Sequence, residues 1–202
     1  MRPWPAWRSP RWRDVEYWVL DLEPGGLDAS RDSIMSLGML PIRDGVILFG
    51  ESYYTTIAAE GAVKTDSLLV HHILPSDLIG APCLDEVLEE VDRRLQDAVL
   101  IVHHAPLDLR FLRTAYRKCG RGRLRVRVID TVKLLIQLNR RLSVGNVPLR
   151  LGEARAHLGF PPHEEHHALS DAVATAELFL LLAHRLGART LRHLLGWVGL
   201  GR

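Results

Sequence analysis

The stretch Val19-Leu20-Asp21-Leu22-Glu23-Pro24-Gly25-Gly26-Leu27 sets two carboxylates two residues apart inside an apolar run with the pattern of a buried strand. Successive side chains on a strand point to opposite faces, so Asp21 and Glu23 project together. Two ionised carboxylates side by side repel, and burying them is costly unless a cation or a hydrogen-bonded partner compensates. A bound metal ion would resolve the conflict.

The rest of the chain bounds what can surround this stretch. Its 202 residues are 47% hydrophobic and 25% charged, which suits one domain with a single sizeable core. The formal charge of +2 is near neutral, so any polyanion must be met by a local patch and not by a global field. Cys83 and Cys119 have neither metal-ligand nor redox spacing and read as buried or incidental thiols. No apolar run is long enough to span a bilayer and no secretory h-region is present, so the expectation is a cytoplasmic protein without a membrane partner. The first thirteen residues, MRPWPAWRSPRWR, hold three Trp, three Pro and four Arg without an acid. Recurrent proline rules out a regular helix, and the indoles need a surface to lie on. Residues 1–14 therefore read as an arm, either packed on its own domain or offered to a protein partner or acidic polymer.

Glu16 to Leu22 reads as a first strand and Ile34 to Ile42 as a second. The Asp44-Gly45 pair marks a hairpin into a third, Val46 to Tyr53. A short helix at Ser76 to Ile79, a longer one at Leu84 to Leu95 and a buried strand at Val99 to Val102 follow. Pro106 suits the first turn of a helix ending near Lys118. After a strand at Val126 to Ile129 the spacing predicts helices over Thr131–Leu142, Leu149–Leu158, Ala168–Leu186 and Thr190–Leu195. This is an α/β pattern: a mixed five-stranded sheet, three strands in an antiparallel meander and two parallel, flanked by helices.

Two further acids fall where helices begin. Asp108 follows a buried strand in LIVHHAPLDLRFL, and Asp171 opens the amphipathic helix of HHALSDAVATAELFLLL. Either alone is accounted for by the helix dipole. Together with Asp21 and Glu23 they would make an oxygen-rich site for hard cations such as Mg2+ or Mn2+.

Asp21-Leu22-Glu23 followed by Gly26-Leu27, then HHAPLDLRFL, then His166 with Asp171 five residues on, resemble the three motifs of the DEDDh branch of the DnaQ-like exonuclease superfamily. The likeness runs from about Tyr17 to Leu182, and within the superfamily it resembles the proofreading exonuclease subunit or domain of bacterial DNA polymerase III. VHHI resembles the family's I-H-G segment and VIDTVKLL its D-T helix start. The resemblance implies a ribonuclease-H-like fold, an exonuclease domain over 15–187 and a C-terminal helical tail over 188–202. It implies 3'-5' exonuclease activity on nucleic acid, with single-stranded DNA favoured and short RNA the alternative, releasing nucleoside 5'-monophosphates. Asp21, Glu23, Asp108 and Asp171 would hold two divalent cations, Mg2+ or Mn2+, in a two-metal site. His166 would be the general base, its ordinary pKa suiting proton transfer near neutrality. Leu22, Gly26, Leu27, His71, His104 and Leu107 would bind the 3' end.

Geometry constrains the base. In a continuous helix His166 would lie about 140° around from Asp171 and His167 about 40°, so His166 must sit in a loop before the helix. Pro161-Pro162 support such a loop. His163 and His167 read as exposed loop residues, His167 a competitor for the base role. The family's D-x-E-T-T-G is here Asp-Leu-Glu-Pro24-Gly25-Gly26, which removes two hydroxyls. His104 and Leu107 stand where relatives carry Asn and Phe. From Arg110 to Arg127 eight basic residues occur without an acid, a pattern that fits either phosphate contacts or a solvated face with a charged edge strand. Two rival readings remain. His163-Glu164-Glu165-His166-His167 matches the H-E-x-x-H zinc-hydrolase pattern, which needs a helix, and a non-catalytic binding module could keep the same fold.

Overall fold

The structure is a computed structural model and describes residues 9–58, 73, 75–142 and 146–197. In chain order the described elements are β1 (Tyr17–Pro24), β2 (Ile34–Arg43), β3 (Val46–Ile47), β4 (Tyr53–Thr56), α1 (Leu84–Leu95), β5 (Val99–Val102), α2 (Ala105–Lys118), β6 (Arg127–Asp130), α3 (Thr131–Asn139), α4 (Leu151–His157), α5 (Ala168–Arg185) and α6 (Leu191–Trp197). The sheet runs β3-β2-β1-β5-β6, with β4 also paired to β2. β1 is antiparallel to β2 and parallel to β5, and β5 is parallel to β6.

The expected third strand is two strands, which makes six in place of five. A 3-10 turn at Phe49–Glu51 divides it, and both halves pair along the outer edge of β2. Pro41 explains the break. Its carbonyl accepts from the Leu48 N–H at 3.0 Å, so its nitrogen faces the same neighbour and has no hydrogen to return. The hairpin before the break has Asp44 at φ 53 and Gly45 at φ 77, the left-handed pair of a type I′ turn.

Strand alternation builds a core on each face of the sheet. Tyr17, Val19, Leu40, Ile42, Val99 and Ile101 pack against α3, α5 and α6. Trp18, Leu20, Leu22, Met39, Leu100 and Val102 pack against α1 and α2. Asp21 and Glu23 continue the odd-numbered row of β1 and so belong to the α5 face. One contact sets how closely α5 approaches. A Cβ on Gly38, which lies opposite Asp21, would stand 2.5 Å from the backbone of Ala168 and Leu169. The bare glycine lets the first turn of α5 rest on the sheet.

Trp12 closes the end of the α5-side core. It is 5% exposed, meets Phe179 edge-on with ring centroids 6.0 Å apart, and its backbone N–H donates to the Arg189 carbonyl. Trp4 and Trp7 lie outside the described residues. Cys83 is exposed and Cys119 half-buried. Among the described residues no helix is long and apolar enough to cross a membrane.

Candidate active site

The site opens where β1 and β5 separate. Their parallel pairing ends at Val19↔Ile101, and the chain of β1 continues through Asp21 and Glu23 with β2 alone beside it. Ligand sites of parallel sheets occupy this crevice beyond the carboxyl ends of the strands. Asp108 reaches it from the first turn of α2, just past the end of β5, and Asp171 from the first turn of α5.

These four acids form one electrostatic cluster. Glu23 and Asp108 are buried, at 5% and 3% exposure, and Asp21 and Asp171 half-buried. Burial raises the Asp21 carboxyl well above the usual range, and the charges of Asp108, Asp171 and Glu23 raise it further. Burial also raises Asp108, with Asp130 and Glu23 adding to the shift. Asp171 is raised by burial and by Glu23, against a backbone hydrogen bond from His166 and the neighbouring His163, which lower it. Like charges held together out of water are the donor chemistry of a divalent cation. Donor atoms of Glu23, Asp171 and His166 lie within 4.8 Å of one another, a spacing one ion can bridge.

The histidines divide their roles. α5 begins at Ala168, so His166 is in the preceding loop, at φ 65. Its backbone N–H donates to Asp171 Oδ2 at 2.9 Å. His163 is not an exposed loop residue: its side chain is 10% exposed and Nε2 lies 2.9 Å from Asp171 Oδ1. His167 caps α5, Nδ1 accepting from the Ser170 N–H at 3.3 Å, and its ring stacks on Tyr54. Residues 163–167 form no helix, so the helical turn required by a zinc-hydrolase H-E-x-x-H is missing and that rival reading is withdrawn.

The remaining candidates fall in three groups. Leu27, 77% exposed, and the exposed His104 stand open to solvent, while Leu107 is half-buried against the α2 side of the core. Leu22 points into that core at 3% exposure, so only its backbone is available on the site side of β1. A Cβ on Gly26 would meet the Asp32 carboxylate, which accepts from the Asp28 N–H, so that side chain would have to move to admit one. His71 lies outside the described residues. Pro24 ends β1 at a register irregularity after Glu23 and pairs with Ile34.

The basic block does not form one track. Arg110 donates to the Leu27 carbonyl beside the site. Arg121 is paired with Asp85 and Asp92, and Arg127 lies opposite Val99 at the amino ends of the parallel strands, away from the acids.

Four residues outside the sequence-derived site shape it. Asp130 accepts from the N–H groups of His104 and Ala105 and of Val132, so a single carboxylate seats the first turns of both α2 and α3. His104 needs this anchor, because its backbone is left-handed at φ 70. Gly38, His163 and Tyr54 are the others. A glycine inside the apolar run of β2 was the one legible signal among these three, as it marks a close backbone approach.

Comparison with known proteins agrees with the fold. The exonuclease family model RNase_T matches residues 18–179. The PolC-type DNA polymerase III of Thermotoga maritima is 32% identical over 167 residues, 83% of this chain and 12% of that protein. The PolC-type enzyme of Clostridium perfringens is 30% identical over 82% of this chain and 11% of its own length. The chain thus spans about one-eighth of these relatives. Among solved structures, zinc-bound E. coli exonuclease I with single-stranded DNA superposes at a TM-score of 0.76 with 13% identity, over 86% of this chain and 41% of that one. Exonuclease X in complex with 5' overhanging duplex DNA gives 0.70 at 18% identity, over 91% and 99%.

Proposed function

On the premise that this chain belongs to the exonuclease family, as a DnaQ-like 3'-5' exonuclease, we propose that it trims DNA from the 3' end, with single-stranded ends as its substrate and Mg2+ or Mn2+ as its cofactors. The observation that carries the reading is the meeting of Glu23, Asp171 and His166 within 4.8 Å, with Asp21 and Asp108 acting on the same charge cluster. The names of the relatives support the substrate class, being DNA polymerases and exonucleases bound to DNA.

Asp21, Glu23, Asp108 and Asp171 would hold two divalent cations. When bound, such ions activate the attacking water and stabilise the leaving 3'-oxygen. An imidazole nitrogen of His166 accepts the proton of that water as its oxygen bonds to phosphorus and the bond to the 3'-oxygen breaks, releasing a nucleoside 5'-monophosphate. Leu27, Leu107 and His104 would border the terminal nucleotide, and the backbone at Leu22 and Gly26 would meet its sugar and phosphate. With Pro24 and Gly25 in place of two threonines, backbone groups take a larger part in holding that nucleotide. The cations impose no charge conflict on this site, because the carboxylates already repel one another there.

The test uses 5'-labelled single-stranded DNA and the matching RNA, incubated with Mg2+, Mn2+ or EDTA. A ladder shortening from the 3' end, dependent on metal, lost with Asp21→Asn and slowed by orders of magnitude but still measurable with His166→Ala, supports the reading. Internal cutting, shortening from the 5' end, or cleavage that persists in EDTA overturns it. Faster trimming of the RNA makes the exoribonuclease alternative the correct one.

A further inference from the structure

The loop bearing His166 is pinned on two sides. On the inner side its N–H and the His163 ring both bond to Asp171. On the outer side the His167 ring stacks on Tyr54, centroids 4.7 Å apart and planes inclined by 20°. Tyr54 is fixed in turn. It lies on β4 opposite Gly38, which is opposite Asp21, so Asp21, Gly38 and Tyr54 form one row across three strands on the α5 face. Its neighbour on β2, Ser36, is the residue paired with Glu23. The first turn of α5 rests over Gly38 in the middle of this row. Between the two pins His166 adopts φ 65, a conformation that a residue other than glycine keeps only where its surroundings hold it.

We propose that Tyr54 is a positioning residue for the base: by stacking on His167 it holds the His166 backbone left-handed and so sets where the His166 ring stands relative to the carboxylates. The inference rests on His166 being the general base. Tyr54 acts through the loop, so its loss moves the base and leaves the 3'-end contacts in place. A displacement of about 1 Å at a reacting group costs up to about a hundredfold in rate.

Steady-state trimming of labelled DNA is measured for Tyr54→Leu, Tyr54→Phe and His167→Asn, and for Tyr54→Leu combined with His166→Ala. Asparagine at 167 keeps the helix-capping acceptor and removes the ring, which supplies a second route if Tyr54→Leu folds poorly. The expected result is a fall in kcat of about ten- to a hundredfold for Tyr54→Leu and His167→Asn, with KM within about threefold of the parent. Tyr54→Phe retains the parental kcat because the ring remains. In the His166→Ala background Tyr54→Leu has no further effect, since two residues acting through one step are not additive. An equal loss in that background, a raised KM at unchanged kcat, Tyr54→Phe as impaired as Tyr54→Leu, or a folded Tyr54→Leu of parental activity overturns the inference. A parent that degrades no nucleic acid removes its premise instead, which separates failure of the activity from failure of the positioning role.

Discussion

Replacing Asp21 by asparagine should make the metal-free protein more stable while abolishing its activity. The Asp21 carboxyl is raised by burial and then by Asp108, Asp171 and Glu23, so its charged form is disfavoured by everything around it. The spacing of the cluster gives the scale. Unit charges separated by the 4.8 Å that bounds the Glu23 and Asp171 donor atoms repel by about 3 kcal/mol at an effective dielectric near 20. Partial protonation and solvent relieve part of this in the parent, which leaves about 2 kcal/mol for an isosteric neutral side chain to recover. For a chain of this length that corresponds to a rise in Tm of about 4–8 °C. The pH dependence has a definite sign. A carboxyl whose folded pKa is raised contributes its stability below the unfolded value and loses it as pH rises through the folded value. The parent in EDTA therefore gains stability as the pH is lowered from neutrality towards the ordinary carboxylate range, and the advantage of Asp21→Asn shrinks over the same interval. Scanning calorimetry in EDTA at several pH values measures both effects. An Asp21→Asn variant that is less stable than the parent at neutral pH, or a difference that does not change with pH, would refute the argument.

Gly38→Ala drives a methyl group into the Ala168–Leu169 backbone, and the expected cost is about 2–3 kcal/mol with a large loss of activity, read by denaturant unfolding and DNA trimming. Asp130→Ala leaves three N–H groups at two helix starts without their acceptor. Unfolding should show a loss of about 2–4 kcal/mol, and activity should fall because α2 carries Asp108. His163→Phe removes the ring nitrogen that meets Asp171 Oδ1 while filling the same space. The Mn2+ concentration for half-maximal activity should rise by about tenfold, and an unchanged metal requirement would show that the His163 contact is not used. Adding Mn2+ to the parent at a hundredfold excess over its dissociation constant should stabilise it by about 2.7 kcal/mol in calorimetry, and Asp21→Asn by much less.

Much of this arrangement is legible in the letters, because periodicity and helix-start chemistry are local. Val99–Val102 is strand and Leu84–Leu95 helix in both sequence and structure, since a short apolar run and a 3.6-residue stripe each admit one reading. The Asp44-Gly45 hairpin is legible for the same reason. The split of the outer strand was hidden, because it depends on which neighbour the nitrogen of Pro41 faces, a fact of register and not of composition. The placement of His166 in a loop follows from angular spacing alone, whereas the bond from His163 to Asp171 does not. That bond exists because the chain turns at Glu165 and His166 before α5 and brings residues eight apart together, which no helical or strand periodicity encodes. Tyr54 was invisible for a similar reason: its meaning comes from a register across three strands and a glycine beneath a helix end.

Direct titration of Mn2+ into the metal-free protein, followed by the loss of the free-ion EPR signal, tests whether the carboxylate cluster is a cation site. The expected outcome is saturable uptake approaching two ions per chain, abolished in an Asp21→Asn protein that remains folded. A parent that takes up no Mn2+, or an Asp21→Asn protein that takes it up as the parent does, would contradict the assignment of Asp21, Glu23, Asp108 and Asp171 to one metal-dependent active centre.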